Sequence, residues 1–382
     1  MKQVYFDNAA TTQMRDEVVD KMAKVMKEVY GNPSSTHSFG RSAKTLIEQA
    51  RKTVAGILNV SASEIIFTSG GTEADNLILN SAVRDLGVKR IITSKIEHHA
   101  VLYTLNKLHE VHGVKLEYVK LDDCGRVDLQ DLEQLLDASE EKTLVSLMHV
   151  NNEVGNLLDI EKVGELCKAK KALFHSDTVQ SVGHFELNLS EIPVDYTAVS
   201  AHKFHGPKGV GFAYIRKNSG LQPLIFGGEQ ERGFRAGTES VHNIVGLETA
   251  LKMAYENLDE EREAITSLKR HFIDLLKKEI PGVKFNGECD DFDHSTYTLI
   301  NVCLPLSPEK ALMLLFQLDL NGIACSKGSA CQSGSDKGSH VLSAFLSEED
   351  LKKPSLRFSF SHYNTKEEVE YVVQVLKDFI EK

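Results

Sequence analysis

The sequence predicts an α/β protein in which helices flank a buried, mostly parallel sheet. Three observations carry this. Near-continuous apolar runs such as Ile65-Ile66-Phe67, Arg90-Ile91-Ile92 and Leu144-Val145-Ser146-Leu147 lack the polar alternation of a half-exposed strand. Helical patterns separate these runs along the chain. At 382 residues the chain also exceeds the usual size of one domain, so a second, smaller unit is expected.

Composition narrows the function classes. With 41% hydrophobic and 26% charged residues, the chain has the make-up of an ordinary globular protein. A net charge of -11 and the lack of any basic run argue against a nucleic-acid partner. No apolar stretch approaches the ~20 residues of a membrane span. The start, Met1 to Asp7, has no signal-peptide core. Cys124, Cys167, Cys289, Cys303, Cys325 and Cys331 form no Cys-x-x-Cys pair, so no metal site is expected. Reduced thiols in a cytoplasm are the expectation.

In chain order, Val4 to Asn8 is a short apolar start. Met14, Val18, Met22, Val25 and Val29 give a helix that Tyr30-Gly31-Asn32-Pro33 stops. A second helix runs from about Arg41 to Leu58. Strands follow at Glu64–Thr68, Arg90–Ser94, Val114–Val119, Leu144–Met148 and Ala172–His175, the last running on to Asp177. The helices between them run to about Val83, from about Ala100, over Leu129–Leu136 and over Asp159–Lys168. Asp195–Ser200 and Gly211–Ile215 are two more strands. A long helical region, His242 to Glu279, bends near Asn257 and ends at Pro281-Gly282. Beyond it come a strand at Ser295–Val302, a helix at Pro308–Leu318 and a strand at Ser355–Phe360. Thr365-x-x-Glu368 then reads as the capping box of a last helix. The domain boundary is placed inside the long helix. A large domain then covers 12–255, and a small one combines 1–11 with 256–382.

Lys203 lies between two histidines, at a strand end, before the turn Gly206-Pro207-Lys208-Gly209. A deprotonated lysine there can form a Schiff base, the bond that pyridoxal phosphate enzymes use. Gly70-Gly71-Thr72, between a strand and a helix, offers backbone N–H groups to a phosphate. Asp177, at a strand end, offers a carboxylate to a pyridinium nitrogen. His98 offers a ring to stack on the cofactor. Each has a plainer alternative: a solvated lysine, a simple connection, a helix cap, a surface histidine. All four, however, fall at strand C-termini of one α/β unit, where such folds bind ligands.

The ordered motifs resemble the cysteine desulfurases of the NifS/IscS type, in the class V aminotransferase group. They run from Tyr5-Phe6-Asp7-Asn8-Ala9-Ala10-Thr11-Thr12 through Gly31-Asn32-Pro33, Ser69-Gly70-Gly71-Thr72-Glu73, Glu97-His98 and Met148-His149-Val150-Asn151-Asn152-Glu153. They continue with Asp177-Thr178-Val179-Gln180-Ser181, Ser200-Ala201-His202-Lys203, Gly227 to Thr238, Gly328-Ser329-Ala330-Cys331 and Arg357-Phe358-Ser359. The resemblance implies the aminotransferase-like fold type I, with a seven-stranded sheet and a smaller α+β domain. It implies pyridoxal 5′-phosphate, L-cysteine as substrate, a homodimer and a sulfur-acceptor protein from iron–sulfur cluster assembly or tRNA thiolation.

By the same resemblance Lys203 would carry the cofactor, Asp177 pair with its ring nitrogen, Gln180 bond its phenolic oxygen and His98 stack on it and assist proton transfer. Gly71, Thr72, Ser200 and His202 would hold the phosphate, with Thr238 reaching in from a second subunit. Asn152 and Arg357 would grip the substrate carboxylate. Cys331, in a run of small and polar residues (about 325–340), would be the nucleophile that takes the sulfur as a persulfide. Cys325 reads as an apolar strand residue or as a relay thiol. A selenocysteine lyase or another class V aminotransferase is the competing enzyme reading. An inactive sulfur-carrier or scaffold-binding paralogue is the non-enzyme one.

Overall fold

The computed structural model describes residues 2–327 and 338–381. The first part of the chain contains β1 (Val4–Tyr5), α1 (Asp16–Glu28), α2 (Ser38–Ile57), β2 (Ile65–Thr68), α3 (Gly71–Arg84), β3 (Arg90–Thr93) and α4 (His99–His112). β4 (Lys115–Tyr118), α5 (Leu129–Asp137), β5 (Thr143–Ser146), α6 (Ile160–Ala169), β6 (Leu173–Asp177), β7 (Tyr196–Ser200) and β8 (Gly211–Ile215) follow. Their seven strands form one sheet in the order β2-β8-β7-β6-β5-β3-β4. β8 runs antiparallel to both neighbours and every other pairing is parallel. Every residue of β2, β3, β5, β7 and β8 is buried, as strands covered on both faces must be.

The second part contains α7 (Val241–Glu256), α8 (Leu258–Glu279), β9 (Lys284–Phe285), β10 (Leu299–Cys303), α9 (Pro308–Leu320), β11 (Ile323–Ala324) and β12 (Ser326–Lys327). It ends with α10 (Glu348–Leu351), β13 (Ser355–Ser359) and α11 (Lys366–Glu381). β12-β13-β10-β9 form a four-stranded sheet, and β1 pairs with β11. The expected bend near Asn257 is a break between α7 and α8. Ile244, Leu247 and Leu251 of α7 pack with the large sheet's core. Ile265, Leu268 and Phe272 of α8 pack instead with Val4, Phe6 and Phe358. The Thr365–Glu368 box forms: the Glu368 carboxylate accepts from Thr365 N, and Thr365 Oγ1 accepts from Glu368 N.

Two boundaries differ from expectation. The second helix begins at Ser38, because His37 caps it through Nδ1, which accepts from Gly40 N. The strand expected from Ser295 begins only at Leu299. The preceding backbone is engaged elsewhere: Thr296 N donates to Gly155 O, and Leu157 N donates to His294 O. Lys269 Nζ also holds Ser295 Oγ and Thr296 O. Among the described residues no helix is long and apolar enough to cross a membrane.

Candidate active site

Loops at the C-terminal ends of β2, β3, β5, β6 and β7 meet the central strand of the small sheet, β13, around a cavity of about 290 Å³. Gly71, Thr72, His98, Asn152, Asp177, Gln180, Ser200, His202, Lys203 and Arg357 all line it. Ten of the candidate residues, read from sequence positions 71 to 357, thus share one space. Thr238 is exposed and does not line the cavity. Cys331 lies outside the described residues.

The floor is the start of α3. Its N-cap, Gly70, provides no side-chain cap, so first-turn N–H groups face the cavity without one. Gly70 has φ +149°, and a Cβ on Gly71 would sit 2.5 Å from Val179 Cγ2. Only glycine admits this close approach of the α3 start to Val179. Thr72, Ser200 and His202 add two hydroxyls and an imidazole to the same wall.

Lys203 follows β7, in a short turn of 3-10 helix over Ala201–Lys203. Its Nζ donates to the carbonyls of Ala9 and of Ala10, the latter at 2.9 Å. Its own carbonyl accepts from His184 Nε2 at 2.9 Å. Asp177 ends β6; its Oδ1 accepts from Val179 N at 2.9 Å, which closes a turn, and no helix follows for it to cap. Burial pushes the Asp177 carboxyl up to about 6, against the opposing pull of that N–H and of Lys203.

His98 is the N-cap of α4: its Nδ1 accepts from Ala100 N at 3.2 Å. Burial, then the charge of Lys203, holds it at about 4, so the ring is neutral with its proton on Nε2. His99 is stacked on Tyr103 at 4.7 Å and packed on His340 at 4.4 Å. That difference in surroundings supports His98 as the ring beside Lys203.

Gln180 Nε2 donates to Ala9 O, leaving its second N–H for a ligand. Arg357 donates from Nη1 to Asn152 O (2.7 Å) and from Nη2 to Asp7 Oδ1 (3.0 Å). Its buried Nε has no hydrogen-bond partner among the described residues.

Sequence reasoning missed several groups here. Asp75, Glu153 and His340 line the cavity, as does His99, the one-residue alternative to His98 for the stacking ring. Asp75, one turn into α3, is held well above the carboxylate range by burial and by the charges of Asp177 and Glu97. Burial raises Glu97 to about 8. An acid set back from a glycine turn by one helical turn was the available signal, since it faces the same way as the turn.

These shifts set a pH dependence for the ligand-free protein. Asp75, Asp177 and Glu97 keep protons when folded at pH values where unfolded carboxyls, near ~4, are ionised. Each therefore withdraws stability as pH rises through its folded value. His98, His149, His175, His202, His205 and His362 act in the opposite sense. Burial holds them at about 3 or 4, so stability is lost as pH falls below the unfolded value of ~6.5. Thermal unfolding should show greatest stability at about pH 6–7. A melting temperature that still climbs up to about pH 8 would contradict this assignment.

Comparison with known proteins agrees with this geometry. The family described as Aminotransferase class-V matches residues 4–372. The chain is 42% identical to a protein named cysteine desulfurase IscS from Dictyoglomus turgidum, covering 100% of this chain and 95% of that one. A solved structure titled NifS-like protein superposes with a TM-score of 0.90 at 38% identity, covering 100% of both chains. Another, titled SspA in complex with cysteine, gives 0.81 at 31% identity, over 95% of this chain and 100% of that one.

Proposed function

The chain belongs to the class-V aminotransferase family, among its cysteine desulfurases, and we propose that its cavity takes L-cysteine and releases L-alanine, leaving the sulfur on Cys331. The observation that carries this reading is the convergence of Lys203, Asp177, His98 and Arg357 on one cavity.

Pyridoxal 5′-phosphate suits the donor set. The uncapped start of α3 with Thr72, Ser200 and His202 would hold its phosphate, and Asp177 would face its ring nitrogen. Lys203 would hold it covalently, Gln180 would bond its ring oxygen and His98 would cover its face. When bound, it supplies an electron sink for the substrate's α-carbon. Thr238, outside the cavity of its own chain, would complete the phosphate site of a second copy, so the active form is a homodimer.

Arg357 and Asn152 orient the substrate carboxylate, with the buried Nε of Arg357 among the donors its other bonds leave over. Lys203 Nζ takes the α-proton, and the proton on His98 Nε2 is placed to serve the reacting carbons. The Cys331 thiolate attacks the substrate Sγ. A sulfur–sulfur bond forms as the Cβ–Sγ bond breaks, the electron pair stays on carbon, and Cβ gains a proton. The sum is balanced: cysteine plus the Cys331 thiol gives alanine plus the Cys331 persulfide. The persulfide then passes to an acceptor protein of iron–sulfur cluster assembly or tRNA thiolation, in a cytoplasm that keeps such thiols reduced. The two apolar cores divide at Asn257, which supports a large domain of 12–255 and a small one of 1–11 with 256–382.

The test is product analysis with L-cysteine and a thiol reductant. Alanine and sulfide in equal amounts are expected. Sulfide with pyruvate, or neither product, would overturn the reading.

A further inference from the structure

The residues just beyond Cys331 return to the cavity and are tied to its wall. His340 Nε2 donates to the carbonyl of Glu97, the residue before His98, at 2.9 Å. Its ring packs on His99 with centroids 4.4 Å apart. Ser339 Oγ donates to the buried Glu153 carboxylate, next to Asn152, and accepts from Leu342 N at 3.0 Å. Val341 and Leu342 complete the attachment by packing with Ile96 and Val154 in a small apolar cluster of their own. The segment therefore grips the two loops that present His98 and Asn152, although by sequence it belongs with the half of the chain that holds β13.

We infer that His340 and Ser339 are positioning residues: they fix the end of the connection bearing Cys331 against the loops that hold cofactor and substrate. The inference rests on Cys331 being the sulfur acceptor. Its physical basis is that the reach of a thiol on a connection depends on where the ends of that connection are fixed. A misplacement of about 1 Å at a reacting group can cost about 10²-fold in rate. The hydrogen bonds of His340 and Ser339, with the packing of Val341 and Leu342, set one such end. On this reading His340 acts through the position of Cys331.

The test compares His340→Ala, His340→Gln, Ser339→Ala and Cys331→Ser in the pyridoxal phosphate-loaded enzyme. Three readouts are taken: the absorbance change on adding L-cysteine, the KM and kcat, and the sulfur on Cys331 by mass spectrometry. His340→Ala should bind cysteine with unchanged absorbance response and KM within about twofold, while kcat and the rate of persulfide formation fall by about tenfold or more. His340→Gln, whose amide can still donate to Glu97 O, should recover to within about threefold of the parent. Ser339→Ala should follow His340→Ala in direction, and it keeps the test usable if His340→Ala does not fold. The inference is overturned if both Ala variants keep the parent kcat, or if they lose cofactor and substrate binding along with rate. An active Cys331→Ser enzyme would instead remove the acceptor assignment beneath it, whereas an inactive Cys331→Ser beside fully active His340 and Ser339 variants would refute the positioning role alone.

Discussion

Lys203→Ala lowers turnover of L-cysteine by about 10⁴-fold, the upper end of what a positioned base contributes. The substitution removes two functions at once, the covalent attachment of the cofactor and the base that moves the α-proton. The geometry confines the damage to these functions. Lys203 reaches the cavity from a turn held by its backbone, through His184 Nε2 on its carbonyl and through Phe204 N and Gly206 N on Ala201 O. Among what the substitution removes are the hydrogen bonds to the carbonyls of Ala9 and Ala10. The variant should fold, keep its melting temperature within a few degrees and lack the absorbance of a covalently bound cofactor. A Lys203→Ala protein with a tenth of parental activity would exclude this lysine as the attachment point.

Asp177→Asn should lower kcat by about 10²–10³-fold, the cost of removing one preorganised electrostatic partner. The amide matches the carboxylate in shape, and its oxygen can still accept from Val179 N, so the turn and the strand end survive. What disappears is the negative charge. In the ligand-free protein burial raises Asp177 to about 6 and Glu97 to about 8, and holds Asp75 well above the usual carboxylate range. A cationic ring nitrogen would relieve that crowding of carboxyls, and this relief is the reason to expect a charged partner there. Titrating activity across pH separates charge from shape. The carboxylate enzyme should lose rate on the acid side as Asp177 protonates, and the Asn variant should not show that limb. Parental kcat in Asp177→Asn would remove the electrostatic role.

The large sheet was legible because burial on both faces writes itself into sequence as uninterrupted apolar runs, and each run here became a strand within a few residues. The small sheet was less so. β9, β11 and β12 are two residues each, too short for any periodicity to show, and β10 starts late because His294 and Thr296 bond across to the other half of the chain. The site divides in the same way. Lys203, Asp177 and Gly70-Gly71 stand at strand ends, where the fold class itself directs attention. The carbonyls of Ala9 and Ala10 carry no side-chain signal at all. Asp75 reads as an ordinary helix acid until the helix is docked with its start facing the cavity. His340 enters only through the path of the chain after Cys331, and no spacing rule links it to Glu97, 243 positions earlier.

The most direct test of the central claim is mass spectrometry of the protein after a single turnover with L-cysteine in the absence of acceptor and reductant, with alanine measured in the same sample. The parent enzyme is expected to carry one added sulfur on Cys331 for each alanine released. Cys331→Ser is expected to bind cysteine, shown by the cofactor absorbance, yet release no alanine and carry no sulfur. Alanine released at the parental rate by Cys331→Ser, or sulfur found only on Cys325 in the parent, would contradict the account.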